Sequence, residues 1–200
     1  MNFQQIKNLK GFMPDHEGMA LFKWAKEFSA IGPILEIGTY CGKSSMYLSS
    51  GAKRNNQYVF TIDHHLGSEE HQLNEEYFDV ETYDYKNKRV NTLPLLIENI
   101  NKCKIKNIVP IVADSKEISS NWQSNIGLLF IDGGHSFESA YNDYKYWESK
   151  IIKSGCLVIH DIYENPDEGG QAPYEIFKKA LDNNYKIYDR VDTIVCLIKD

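Results

Sequence analysis

The chain has 200 residues, 42% hydrophobic and 25% charged, enough for one compact domain to bury a substantial core without disulfides or bound metal. A formal net charge of -6 argues against a nucleic-acid or anionic-membrane partner, which needs a basic face, and points to a small, not strongly anionic one. Cys41, Cys103, Cys156 and Cys196 form no CxxC pair and suit a reducing cytoplasm; the start has no apolar core of the signal-peptide kind, no later run suits a bilayer span, and self-association stays open.

In chain order, Leu21, Phe22, Ala25 and Phe28 recur at helical spacing after Asp15 and predict a first helix, ended by Pro33, whose apolar stripe needs a sheet to cover it. Short, nearly non-alternating apolar runs at 34–37, 58–62, 108–112, 128–131 and 156–159 predict strands buried on both faces of a parallel sheet. Helical patterns lie between them at 44–50, at 92–103 with Pro94 in the first turn, and at 136–149. In the last, Phe137, Ala140, Tyr141, Tyr144 and Trp147 form one stripe opposite Glu138, Asp143 and Lys145. A final helix follows Pro173, and strands at 185–191 and 193–199, joined by a tight turn at Asp192, add an antiparallel hairpin. This order predicts a single α/β domain over 1–200, doubly wound and Rossmann-like, with a mostly parallel sheet, helices on both faces and ligands at the carboxyl ends of the strands. Residues 64–91 are too polar and irregular for a core helix and too long for an ordinary connection, so they are predicted to form a lid, with 164–171 closing the opposite side.

The segment Glu36-Ile37-Gly38-Thr39-Tyr40-Cys41-Gly42-Lys43-Ser44-Ser45 leaves the first buried strand and enters a helix. Its glycines allow a sharp turn and close approach to a ligand, and the amides at the helix start favour an anionic group. A phosphate-binding P-loop is one reading, but only three residues separate Gly38 from Gly42 where that loop needs four. A nicotinamide dinucleotide site is another, and the GxGxxG spacing it uses is missing. A third reading uses the neighbours too. Asp63 ends the second strand, where a carboxylate accepts from both ribose hydroxyls; Asp114 and Ser115 follow the third, where they could meet an adenine edge; Glu36 could take an ammonium. Asp114 or Ser115 alone would equally be a helix cap.

EIGTYCGKSS, TIDHHLGSEEHQ, IVADS, LLFIDGGHSFESAYNDYKYW and CLVIHDI together resemble the bacterial class I methyltransferases of the macrocin O-methyltransferase and cephalosporin-hydroxylase-like group. The resemblance covers most of the chain and implies a seven-stranded sheet. It also implies S-adenosylmethionine binding by Glu36, Gly38, Thr39, Gly42, Asp63, Asp114 and Ser115; the neighbouring Tyr40, Ser44, His64 and Asp132 complete the candidate set. The segment Asp132-Gly133-Gly134-His135 and the pair His160-Asp161 are its most distinctive marks.

Methyl transfer from a sulfonium asks the protein chiefly to align an acceptor and remove its proton. His64, His65, His71, His135 and His160 all fall at predicted strand ends. His135 is the leading general base, with Asp132 beside it, because an unperturbed histidine titrates near neutrality. Asp132, His160 and Asp161 could hold a divalent cation, Mg2+ or a softer ion; related metal-dependent O-methyltransferases place acidic or amide ligands there, and His160 departs from that pattern. The alternative is that Asp132 caps the following helix, His160 is a core-edge histidine bonded to backbone, and no metal binds. A small-molecule O-methyltransferase is therefore the leading expectation. A metal-dependent hydrolase or a non-catalytic cofactor-binding protein on the same fold are the alternatives, and a nucleotide-binding switch is a third.

Overall fold

Residues 3–134 and 136–200 are described by the computed structural model. Seven strands form one sheet in the order β5-β2-β1-β6-β7-β9-β8, comprising β1 (Ile34–Ile37), β2 (Val59–Asp63), β5 (Ile108–Val112), β6 (Ile126–Ile131), β7 (Ile151–Ile159), β8 (Tyr185–Val191) and β9 (Ile194–Lys199). Strands β3 (Tyr83–Asp84) and β4 (Arg89–Val90) make a separate small hairpin. The pairs β1–β2, β1–β6, β2–β5 and β6–β7 are parallel, whereas β9 runs antiparallel to both β7 and β8. The chain therefore winds outward from β1 in one direction and restarts at β6 in the other. Such a reversal opens a crevice at the carboxyl ends of β1 and β6.

The strands are apolar on both faces because helices cover both. Along β1 and β6, Ile34, Leu128 and Phe130 join the core cluster that includes Leu21, Trp24, Phe28, Met46 and Tyr47, from α2 (Asp15–Phe28) and α3 (Lys43–Ala52). Leu35, Ile37, Leu129 and Ile131 point the other way, toward Ala140, Tyr144 and Trp147 of α6 (Phe137–Trp147) and Ile176 and Phe177 of α7 (Ala172–Asp182). Each fully buried Leu, Ile, Phe or Met among them contributes about 1.5–3 kcal/mol. The remaining helices are α1 (Phe3–Lys7), α4 (Leu93–Lys102) and α5 (Ser115–Ser119).

Several boundaries differ from expectation. The first long helix stops at Phe28, before Pro33, which instead leads into β1. Strand β7 begins at Ile151, five residues early, because exposed Lys153 and Ser154, the latter at φ 63°, interrupt the apolar signal beside a register shift against β6. Strand β5 is only partly covered, since it is the edge of the sheet. On α6, Phe137 is exposed while Asp143, assigned to the solvent face, is buried. The short α1 and α5 carry too little periodicity to have been predicted.

Candidate active site

Strand β1 ends at Ile37 and the chain turns at Gly38, whose φ is 89°. A Cβ there would lie 2.0 Å from the Asp132 carbonyl oxygen, so only glycine lets this loop cross the one leaving β6. Asp63 fixes the turn from the end of β2: its Oδ2 accepts from the Thr39 and Tyr40 amides at 3.0 and 2.9 Å, and its Oδ1 from the His65 amide at 2.6 Å. Gly42, at φ 84°, caps α3 with no side chain satisfying the first-turn amides, which leaves the helix start suited to an anionic group.

Glu36 corrects one expectation. It alternates in step with Ile34 onto the α3 face, is fully buried, and accepts from the hydroxyls of Ser44 (2.6 Å) and Ser45. Burial pushes its carboxyl up to about 7, against the hydrogen bonds of Ser44, Ser45 and Thr61. It supports the loop from beneath and lines neither cavity described below, so it is not placed to meet an ammonium.

Two cavities open at the strand ends. The larger, about 550 Å³, runs along the ends of β1, β2, β5 and β6 and is lined by Asp63, His64, Asp114, Ser115, Asp132 and Asp143 among others. The second, about 360 Å³, lies on the β7 side between the segment 11–14, the glycine loop and the ends of β6 and β7; Phe12, Met13, Tyr77 and Tyr163 give it apolar and aromatic walls. Both are of a size suited to small ligands. Gly38, Tyr40, Glu70, His71, Asp132 and Gly133 line both, so the cavities meet over the crossing of the two loops.

His160 is held at both ring nitrogens. Strand β7 alternates Cys156 and Val158 toward α2, and His160 follows in phase, reaching Glu17 on that helix. Its Nδ1 lies 2.9 Å from Asp132 Oδ1 and its Nε2 lies 2.8 Å from Glu17 Oε2. A carboxylate only accepts, so both ring nitrogens donate and the ring is an imidazolium. Burial would lower its pKa, but the charge of Asp132, the hydrogen bonds to Asp132 and Glu17, and the charge of Asp161 outweigh that and push it up to about 11. Glu17 is itself fully buried, and its Oε1 accepts from the Thr193 amide and hydroxyl at 2.9 and 2.7 Å. The network thus ties α2 and the β8–β9 turn to the ends of β6 and β7.

The ligating atoms of Asp132, His160 and Asp161 lie within 4.8 Å of one another, as a metal site would require. The donor chemistry does not fit one. A histidine ligand needs a free imidazole lone pair, and both nitrogens here carry protons held by carboxylates.

Of the other predicted residues, Tyr40 lines both cavities, His64 only the larger, and Thr39 and Ser44 only the smaller. Gly42 lines neither; a Cβ there would meet Leu96. Asp114 does cap α5, accepting from the Lys116 amide at 2.9 Å, and Ser115 donates to Asp143, yet both also face the larger cavity. His135 lies outside the described residues. The histidines disperse: His65 is buried and bonded to Thr92 at 2.7 Å, while His71 stacks on Tyr40 between the cavities. Residues 64–91 contain two 3-10 turns and the β3–β4 hairpin and dock through Asp79, which takes Lys10 at 2.5 Å and the Tyr40 hydroxyl at 3.2 Å. Residues 164–171 line neither cavity; Gln171 donates instead to the Tyr163 and Gly169 carbonyls. Glu17 and Asp143 were missed. Both are acids inside apolar helical stripes, Glu17 with Leu21, Trp24 and Phe28, Asp143 with Ala140 and Trp147, and that misplacement was the available signal.

The profile of the family described as Methyltransferase domain matches residues 35–162. Among solved structures, an O-methyltransferase from Bacillus cereus in complex with SAH superposes with TM-score 0.64 at 13% identity, covering 99% of this chain and 90% of that one. The O-methyltransferase TomG from Streptomyces achromogenes, involved in tomaymycin synthesis and solved with SAM, gives 0.64 at 13% identity over 94% and 82% of the two chains. The O-methyltransferase NovP gives 0.67 at 11% identity over 90% and 78%. At these identities the likeness establishes a shared fold.

Proposed function

The chain belongs to the methyltransferase-domain family, and from that premise we propose that it is an S-adenosylmethionine-dependent O-methyltransferase acting on a small-molecule acceptor. The observation that carries the proposal is the pair of cavities meeting over Gly38 and Asp132, one edged by strand-end carboxylates and the other by aromatic rings. The motifs support the macrocin O-methyltransferase and cephalosporin-hydroxylase-like group within the family. The four cysteines without disulfides suit a cytoplasmic protein.

S-adenosylmethionine, when bound, supplies a methyl group already activated by its sulfonium. The residues suited to hold it are Asp63 for ribose hydroxyls, Asp114 and Ser115 for the base, and the start of α3 for the carboxylate. Asp63 acts twice on this reading, since the carboxylate that faces the cavity also sets the loop. In the second cavity Phe12, Met13, Tyr77 and Tyr163 would enclose a largely apolar or ring-bearing acceptor and exclude water, with residues 64–91 as the lid. Asp132, on the boundary, accepts a hydrogen bond from the acceptor hydroxyl and aims it, and the His160 imidazolium holds that carboxylate in place. A metal-dependent hydrolase is disfavoured because its histidines are dispersed and His160 has no lone pair to offer.

Incubating the protein with methyl-tritiated S-adenosylmethionine and a panel of hydroxylated ring compounds tests the reading. Label should appear on an acceptor oxygen, with one S-adenosylhomocysteine formed per product. Tight cofactor binding with no transfer to any acceptor, or hydrolysis of the compounds instead, would count against it.

A further inference from the structure

The charge balance at the ends of β6 and β7 goes further than the assignment of an activity. Three carboxylates, those of Glu17, Asp132 and Asp161, converge there. Such a group normally demands a cation, and the three ligating side chains Asp132, His160 and Asp161 have the spacing to hold one. The cation is already present in the fold. His160 is buried, its Nδ1 is 2.9 Å from Asp132 and 3.6 Å from Asp161, and its Nε2 is 2.8 Å from Glu17.

Glu17 makes the arrangement specific. One of its oxygens receives His160, and the other is saturated by the amide and hydroxyl of Thr193, so the carboxylate cannot swing toward Asp132 to join a metal site. For His160 to ligate a metal, one ring proton would have to leave and one carboxylate contact break, leaving Glu17 or Asp132 without its charged donor. A divalent cation resting on Asp132 and Asp161 alone would sit against the positive ring.

We propose that His160, clamped between Glu17 and Asp132, is a built-in cation that occupies the electrostatic place of a divalent metal at this site, so that the strand-end carboxylates bind none and methyl transfer proceeds without one. His160 is then a positioning residue, acting through Asp132 on the acceptor. The statement about metal binding stands independently of the methyl-transfer reading; the statement about catalysis rests on it.

The test uses Mn2+ as the probe and electron paramagnetic resonance to count bound ions, so it needs no enzymatic activity. Wild-type protein should retain free-ion signal at sub-millimolar Mn2+, whereas His160→Asp should bind one equivalent, lost again when Asp132→Asn is added. One Mn2+ on the wild type that Asp132→Asn removes would overturn the proposal. Failure of a folded His160→Asp to gain a site would overturn the role given to His160. Should that variant not fold, 15N shifts of the wild-type His160 ring decide: both nitrogens should stay protonated at pH 7 and unmoved by Mg2+, and a Mg2+-induced shift of either would refute the idea. S-adenosylhomocysteine affinity, measured in parallel, reports separately on the functional reading.

Discussion

Asp63 and His160 each hold a loop by accepting or donating at two places, so single substitutions there should act beyond their own contacts. In Asp63→Asn a side-chain amide replaces one carboxylate oxygen, and either the pair of donors from Thr39 and Tyr40 or the one from His65 loses a charged acceptor. A hydrogen bond to a charged group is worth about 1.5–3 kcal/mol, so S-adenosylhomocysteine affinity should fall at least roughly tenfold. His160→Gln leaves Glu17 and Asp132 without their cation and should cost roughly 3–5 kcal/mol in denaturant unfolding. The pH dependence has a definite sign. The folded-state pKa of His160, about 11, lies above its ordinary value of 6.5, so its contribution is complete below about pH 6.5 and declines as pH rises toward 11. Glu17 works the other way, its lowered pKa giving stability that is lost as pH falls below the carboxylate range. Among the described residues, the charged groups facing the ring are Glu17 from α2, Asp132 after β6 and Asp161 after β7. Stability should therefore fall between about pH 7 and 8 in the wild type, before the thiols of Cys41 and Cys156, raised by burial, add a fall of their own, and that early slope should vanish in His160→Gln; an unchanged slope would argue against the buried imidazolium.

Among the elements, the glycine loop and the 64–91 segment make contrasting demands. Gly38 sits where a Cβ would overlap the Asp132 carbonyl, at a φ that side chains avoid. Gly38→Ala should cost at least about 1–3 kcal/mol from backbone strain and disable cofactor binding, as thermal melts with and without S-adenosylhomocysteine would register. The 64–91 segment is held by polar and aromatic contacts at its edges, with Tyr77 half-exposed against Phe12. Hydrogen exchange over 64–91 should be faster than in β1 or β6 and slow when cofactor and acceptor are both present. Tyr77→Ala should raise the acceptor KM with little change in S-adenosylhomocysteine affinity; equal effects on both would remove Tyr77 from the acceptor side. The strands were legible because burial on both faces leaves uninterrupted apolar runs such as Ile126–Ile131. What lay hidden was tertiary. Glu17 is more than a hundred residues from His160, and the positive φ of Ser154 accompanies a register shift of β7 against β6. The direction of Glu36 is likewise hidden in the sequence, because only the sheet's alternation turns it toward Ser44 and Ser45 of α3.

At the scale of the whole molecule, the strand order gathers Asp63, Asp114, Asp132 and His160 at the carboxyl ends of the parallel strands. The reversal between β1 and β6 opens the larger cavity, and the antiparallel β8–β9 hairpin returns Thr193 to brace Glu17. Among the described residues, no helix is long and apolar enough to cross a membrane. On the proposed reading the larger cavity is a cofactor site built on the Gly38 turn and Asp63. Calorimetric titration of S-adenosylhomocysteine tests it most directly: one molecule should bind per chain, at least tenfold more weakly in Asp63→Asn and not measurably in Gly38→Ala. No binding to the wild type, or binding that neither substitution alters, would contradict it.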